Sequence, residues 1–398
     1  MTTTKLDIDA LRAQFPSLSQ QVSDRTPIYF DNPAGTQVPQ RVIDAVTGYF
    51  THMNANQGGA FHTSRATDAL VSAVREKVAR FLNAPHPDEI VFGPNMTTLN
   101  FALSRALAHT LQPGDEIVLT RMDHDANVSP WLRIAADRGL TVRWVDIITP
   151  ECTLDLNTLE AALTDRTRIV ATVHASNAVG TINPVAQIAQ MAHAAGALIV
   201  VDAVQSAPHL PIDVQAIGCD FLLCSSYKFF GPHAGILWGR YDLLASLPAY
   251  KVRPSKDVPP YRWETGTPAF ELIAGVGAAV DYLMEIGIDR LLAYERDLAA
   301  HLIDVLRRIP GVQIAGITDP ARYHERVPTV AFSLDGYTPT EIASHLAAHA
   351  IYVWDGNYYA VEIMRRLNRP DGMVRVGLAH YNTHAEIDQF EGALKLLR

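Results

Sequence analysis

From Ile28 to Trp238 short apolar runs rich in β-branched residues alternate with longer stretches of helical period. That alternation restricts the chain to strands joined by crossover helices. The runs are IYF at 28–30, EIVF at 89–92, EIVLT at 116–120, TVRWVD at 141–146, RIVATVH at 168–174, ALIVVD at 197–202 and FLLCS at 221–225. Most are apolar throughout rather than alternating, so both faces should be covered, and a largely parallel sheet in an α/β unit is predicted. Asn183 and Pro184 read as N-cap and first-turn residue of one crossover helix, and Gly196 follows that helix before the next strand.

After about residue 285 the pattern changes to an amphipathic helix (LLAYERDLAAHLIDVLRRI), strand-like TVAFSL, a helix, IYVW, another helix, MVRVGL and a final helix. This predicts a second, smaller α+β domain. The 398 residues accommodate two domains, with residues 16–284 forming the large one and residues 1–15 and 285–398 the small one. Thr338 with Glu341 and Thr383 with Glu386 have the spacing of capping boxes. Arg253 to Tyr261 is the most loop-like stretch.

Composition excludes several functions. With 48% apolar and 19% charged residues the chain can bury a large core, and a net charge of −9 without a basic cluster argues against a nucleic-acid partner. Cys152, Cys219 and Cys224 are too few and too irregularly spaced for a disulfide framework or a zinc site, so no metal is expected and a reducing cytoplasm fits best. The opening MTTTKLDIDALRAQF has no apolar leader core, and no stretch approaches the ~18 apolar residues of a spanning helix. A soluble, unprocessed chain without a membrane partner is expected.

Ligands of an open parallel sheet bind beyond the carboxyl ends of its strands, so the residues that follow each strand carry the functional reading. After EIVF come Gly93, Pro94, Asn95, Met96, Thr97 and Thr98, then an apolar helix whose first amides can hold a phosphate; a threonine there is equally an ordinary N-cap. ALIVVD ends in Asp202, a carboxylate on a buried strand that needs a cationic partner. FLLCS runs into Ser225, Ser226, Tyr227 and Lys228. A lysine in that apolar company has a lowered pKa and can form a Schiff base, although it can also be a snorkelling side chain at the sheet rim. The 26 residues from Asp202 to Lys228 make one strand-crossover-strand unit, which brings the two to neighbouring strand ends. Pyridoxal phosphate needs this set: a lysine for its aldehyde, an Asp for its pyridine nitrogen and a helix start for its phosphate.

These residues, with YFDNPAGT, FGPNMTTLN, DHDANVSPW, HASNAVGT, VDAVQSAPH, SSYKFFGPHAGILWG, WETGTPAFE and VRVGLAHYNTH, give the chain a resemblance along nearly its whole length. It resembles the class V aminotransferases of pyridoxal-phosphate fold type I, in the cysteine desulfurase-like branch. The resemblance implies a mainly parallel seven-stranded sheet in the large domain. It makes Lys228 the Schiff-base lysine, Asp202 the partner of the pyridine nitrogen, and Gln205 a hydrogen-bond partner of the ring hydroxyl. His124 would stack on the ring and help move protons. Asn177 would lie near the ring hydroxyl and the substrate carboxylate. Thr97, Ser225 and the amides of Asn95 and Met96 would bind phosphate, with Tyr227 at a position where relatives carry His. Thr267 would reach the neighbouring subunit's phosphate in a homodimer. Arg375 would clamp the substrate α-carboxylate, with Ala34, Gly35 and Tyr359 also lining the substrate space.

The chain departs from that pattern where a desulfurase carries its sulfur-accepting thiolate. The segment reads Trp354-Asp355-Gly356-Asn357-Tyr358-Tyr359-Ala360, which puts Tyr359 at the catalytic position, and a phenol cannot take up sulfur by nucleophilic attack. The segment from Asn54 to His62 also differs, with Gly58 and Gly59 where desulfurases carry a basic pair. The leading expectation is therefore a C–S lyase that acts by β-elimination without persulfide chemistry. Lys228 is the base, and Tyr358, Tyr359 or His62 assists the leaving group. An aminotransferase or epimerase uses the same machinery, and a non-catalytic cofactor-binding scaffold is the alternative from another class. Gly275-Val276-Gly277-Ala278-Ala279-Val280 resembles a fragment of a dinucleotide fingerprint but follows no strand, so helix packing is expected of it.

Overall fold

Six of the seven apolar runs stand side by side with Gly235–Gly239 in one seven-stranded sheet, in the order Ile90–Gly93, Gly235–Gly239, Phe221–Ser225, Leu198–Asp202, Thr167–Val173, Glu116–Thr120 and Thr141–Val145. The structure, a computed structural model, describes residues 6–397; residues 1–5 and 398, expected in the smaller domain, lie outside the described residues. Only Gly235–Gly239 runs antiparallel to its neighbours. The sheet separates two apolar cores. Val118, Val170, Ile199, Val201, Leu222 and Cys224 face one, and Ile117, Leu119, Ile169, Val200, Leu223 and Leu237 face the other, which is why the runs read as apolar on both sides. Among the described residues no helix is long and apolar enough to cross a membrane.

Two strands depart from the sequence expectation. Gly235–Gly239 (GILWG) is the seventh strand, which is not among the runs identified in the sequence. Gly235 is required by close approach, since a Cβ there would sit 2.4 Å from the Asn95 backbone. The IYF run does not join the large sheet. Ile28–Tyr29 pairs in parallel with Ile351–Tyr352, and Ile28 and Phe30 are buried against Leu298, Leu302, Val330 and Val376 of the C-terminal part. The next residue, Asp31, bridges to Gly377 and so lies beside the strand that carries Arg375.

The C-terminal part forms a four-stranded antiparallel sheet in the order Val312–Ala315, Thr329–Leu334, Met373–Gly377 and Trp354–Gly356, packed with helices Ile288–Arg308, Pro339–Ala348 and His384–Lys395. Both expected capping boxes form. Asn183 does not cap helix Val185–Ala194, whose N-cap is Pro184; the Asn183 amide is buried and donates to the Val173 carbonyl at 2.8 Å instead. Gly275 and Gly277 lie inside helix Phe270–Ile286. A Cβ on Gly275 would meet Val46 at 2.9 Å, and one on Gly277 would meet Val74 at 2.7 Å, so the small residues serve close packing against helices Gln40–His52 and His62–Phe81.

Candidate active site

Every motif that the sequence singles out after a strand of the large sheet lies at its carboxyl edge. Leu198–Asp202 and Phe221–Ser225 are parallel neighbours with Asp202 opposite Leu223, and Lys228 ends the one-turn 3-10 helix Ser226–Lys228 that follows the second strand, so both residues lie at the same edge of the sheet. Lys228 Nζ lies 4.7 Å from the centre of the Tyr227 ring and donates to the Pro33 carbonyl. Burial, and next the Arg375 charge, lower its pKa to about 7 against the opposing pull of Asp31 and Asp202. A sizeable fraction of the amine is therefore unprotonated at neutral pH. Asp202 is buried, accepts from the Val204 amide at 2.9 Å, and is raised to about 6 by burial, with that amide and Lys228 opposing. It is ionised at neutral pH and can hold a protonated ring nitrogen.

Helix Met96–Ala108 starts at the other end of this edge. The Asn95 side chain caps it by accepting from the Thr98 amide at 2.8 Å, and the Met96 amide donates to Ser225 Oγ at 2.9 Å, which ties the helix start to the end of the lysine strand. Thr97 is exposed there. Thr36 donates its amide to the Tyr227 carbonyl at 3.1 Å, and a Cβ on Gly35 would contact the Tyr227 ring at 3.5 Å, so Ala34 and Gly35 lie against the lysine turn. Tyr227 itself stacks on His233 with ring centres 4.8 Å apart. Thr267 is exposed, three residues beyond Glu264, which is anchored to Arg75 at 2.8 Å and to the Phe92 amide at 2.9 Å.

His124 follows the strand Glu116–Thr120. Its Nδ1 accepts from the Ala126 amide at 3.0 Å, so the ring is the neutral tautomer with its proton on Nε2. Burial, with Lys228 and Arg375 adding, lowers its pKa to about 4. In this arrangement His124 offers a hydrogen bond rather than a free base. Asp123 beneath it accepts from Asn127 at 2.7 Å and from the Thr120 hydroxyl, and burial pushes its pKa well up.

Asn177 connects the two parts of the chain. Its carbonyl accepts from Arg375 Nη1 at 3.1 Å, its Nδ2 donates to the Tyr358 carbonyl at 2.9 Å, and its Oδ1 has no partner. Arg375, buried at 3% exposure, gives Nη2 to Asp31 at 3.2 Å and leaves Nε unpartnered. The side-on edge formed by Nε and Nη2 is thus the one left for a second carboxylate, and Asp31 half-occupies it. Burial raises the Asp31 pKa, while Arg375 and Lys228 pull it down.

The segment at the expected thiolate position is a pinned turn. Tyr358 and Tyr359 both have left-handed backbones, with φ of 53° and 56°. The turn is held by the Asn177 contact, by the Asp125 amide donating to the Tyr359 carbonyl at 2.7 Å, and by the Tyr359 amide donating to Asn357 Oδ1 at 3.0 Å. The Tyr359 ring, 69% exposed, stacks on His124 with centres 5.5 Å apart. Tyr358 is unavailable as a leaving-group acid: it is buried, donates to the Met373 carbonyl, lies under Arg375 and has its pKa pushed far up by burial. His62 is exposed at the start of helix His62–Phe81, and none of its hydrogen bonds or ring contacts reaches the residues described above. All three cysteines are buried; burial raises the Cys152 thiol to about 12 and the other two further.

Sequence reading missed Asp31, Asp123 and the pairing of His209 with Glu295 behind Gln205. Asp31 and Asp123 lie inside quoted motifs, and an acid beside each motif's functional residue was the available signal. The His209–Glu295 pair joins residues 86 apart and leaves no local trace.

The class-V aminotransferase family model matches residues 28–390. A cysteine desulfurase of Serratia proteamaculans is 35% identical, over 98% of this chain and 98% of its own length. Among solved structures, a cysteine desulfurase from Thermococcus onnurineus superposes with a TM-score of 0.91 at 29% identity, covering 100% of this chain and 99% of its own. One from Escherichia coli superposes at 0.88 with 28% identity, covering 99% and 98%.

Proposed function

The chain belongs to the class-V aminotransferase family, and from that premise we propose that it is a C–S lyase, which cleaves cysteine or a β-thio derivative by β-elimination without an enzyme persulfide. It is a pyridoxal-phosphate-dependent enzyme of the cysteine desulfurase-like branch. The residues present fit that cofactor. Gln205 Oε1, Asn177 Oδ1 and Arg375 Nε are buried polar atoms without partners, on segments that meet Lys228 and Asp202 at one edge. Lys228 would hold the aldehyde carbon, Asp202 the ring nitrogen, and Ser225 with the first amides of helix Met96–Ala108 the phosphate. When bound, the cofactor supplies an electron sink for the substrate α-carbon. Thr267, exposed beyond the Glu264 anchor, would reach the phosphate of a second copy in a homodimer.

The chain's own residues then do the following. Arg375 takes the substrate carboxylate on its Nε and Nη2 edge, which displaces Asp31. Lys228 Nζ, unprotonated because it is buried, removes the α-proton. The Cβ–S bond breaks with its electron pair leaving on the thiolate, and Tyr359, the exposed phenol of the turn, gives that sulfur a proton. The released enamine takes up water to give pyruvate and ammonium.

The observation that carries the reading is the pinned turn with Tyr359 at the thiolate position, together with three cysteines that are buried and kept as thiols. Intact-mass spectrometry of protein quenched during turnover of L-cysteine tests it. The mass should match the resting enzyme; an added sulfur on any cysteine would show that persulfide chemistry operates here.

A further inference from the structure

Of the two tyrosines in the pinned turn, Tyr358 has no task in the proposed reaction. Its side chain is buried, and hydrogen bonds at both ends tie it to segments that meet Arg375. The phenol donates to the carbonyl of Met373, the first residue of the strand Met373–Gly377 that carries Arg375. The Tyr358 carbonyl accepts from Asn177 Nδ2 at 2.9 Å, and the Asn177 carbonyl in turn accepts from Arg375 Nη1 at 3.1 Å. Each donor and acceptor here is fixed by its chemistry, since a backbone carbonyl only accepts and a guanidinium only donates. The Arg375 guanidinium lies over the Tyr358 ring, with Cζ 4.6 Å from the ring centre.

The partners of Arg375 differ in what they use up. A guanidinium carries its N–H groups in its plane, so Asp31 and the Asn177 carbonyl each occupy part of its edge. An aromatic face attracts the cation from one side and takes none of those donors. Asp31 has to leave when a substrate carboxylate takes the Nε and Nη2 edge. The Asn177 carbonyl stays but bears no charge. The Tyr358 ring is thus the partner that goes on attracting the buried cation, and holding its plane, while one carboxylate replaces the other.

We propose that Tyr358 is a positioning residue that sets the plane of Arg375 and so determines the preference of this site for amines that bear an α-carboxylate. The inference rests on the reading of Arg375 as the clamp of the substrate carboxylate. The two tyrosines of the turn then divide the substrate between them, the buried one acting on its carboxylate through Arg375 and the exposed one on its sulfur.

Tyr358→Leu removes the ring and leaves Arg375 and Asp31 in the chain. The measurement is the dissociation constant of L-alanine and of L-alaninamide, the same amine without the carboxylate charge, each from absorption titration of the resting holoenzyme. Y358L should weaken L-alanine about 5- to 30-fold, the worth of a desolvated cation–π contact, and leave L-alaninamide within about twofold of wild type. Tyr358→Phe keeps the ring under the guanidinium and should bind L-alanine within about threefold of wild type, although it strands the Met373 carbonyl and lowers stability. Tyr358→Met, which fills the space with a flexible chain, serves if Y358L does not fold. Unchanged L-alanine affinity in the variant without the ring, equal weakening of both ligands, or a loss in Y358F as large as in Y358L overturns the inference. A wild type that binds the two ligands equally would instead refute the reading of Arg375 as the clamp, and one without any cofactor band would refute the cofactor reading itself.

Discussion

Asp31→Asn isolates the competition that the structure builds into the substrate site. Asp31 sits 3.2 Å from Arg375 Nη2, on the edge an incoming carboxylate needs. At an effective dielectric of about 20 the Coulomb attraction at that separation is at most ~5 kcal/mol. Desolvation of both groups offsets most of it and leaves ~1–2 kcal/mol. A substrate carboxylate must release that pair before it can bind, so removing the Asp31 charge should tighten binding by the same amount, about 5- to 30-fold. The folded protein should lose ~1–3 kcal/mol, because buried Arg375 gives up a charged partner when no substrate is bound. Titration of the holoenzyme with L-alanine, followed by absorption, gives the dissociation constant, and L-cysteine turnover gives KM. Asp31 also raises the Lys228 pKa, so the acidic limb of kcat should move to lower pH in the variant. Weaker alanine binding in D31N would refute the reasoning, because it would mean that Asp31 assists the substrate rather than occupying its place.

Three further outcomes are expected. The Lys228 pKa is lowered from 10.5 to about 7, so the free-amine fraction, and with it the rate at which apoprotein captures pyridoxal phosphate, should rise with pH through about 7 and level off above it; stopped-flow absorption measures this, and a rise centred near the ordinary lysine value would contradict it. Glu264→Ala strands the Arg75 guanidinium, 6% exposed, and should cost ~3–5 kcal/mol in denaturant unfolding; a loss below ~1 kcal/mol would show that the pair does not anchor this segment. Tyr359→Phe keeps the ring stacked on His124 but removes the phenol, so L-cysteine turnover should fall about 10- to 100-fold, with a smaller loss for L-cystine, whose persulfide leaves more readily; equal losses on both substrates would remove Tyr359 from that role.

What was legible in the sequence follows from how local each signal is. Runs such as ALIVVD and FLLCS are apolar on both sides because the sheet buries both faces, and the place of Asp202 and Lys228 at adjacent strand ends follows from one crossover length. In GILWG, Gly235 answers to a backbone approach from Asn95, a partner 140 residues away in the chain that nothing local in the sequence marks. IYF reads as a strand but gives no sign that its partner is Ile351. That pairing delivers Asp31 to Arg375, so the occupied state of the carboxylate clamp was invisible too. The same holds for the turn at Tyr358 and Tyr359, whose left-handed backbone is held by Asn177 and Asp125 rather than by any glycine of its own.

The central claim is that sulfur leaves by elimination and is not passed to the enzyme. Product analysis of L-cysteine turnover by the holoenzyme tests it most directly, because the two routes leave different carbon skeletons. Elimination gives pyruvate, ammonium and sulfide in equal amounts, and this is the predicted result. Alanine accumulating in step with cysteine consumption would mean that the sulfur is taken by a nucleophile, and would contradict the account.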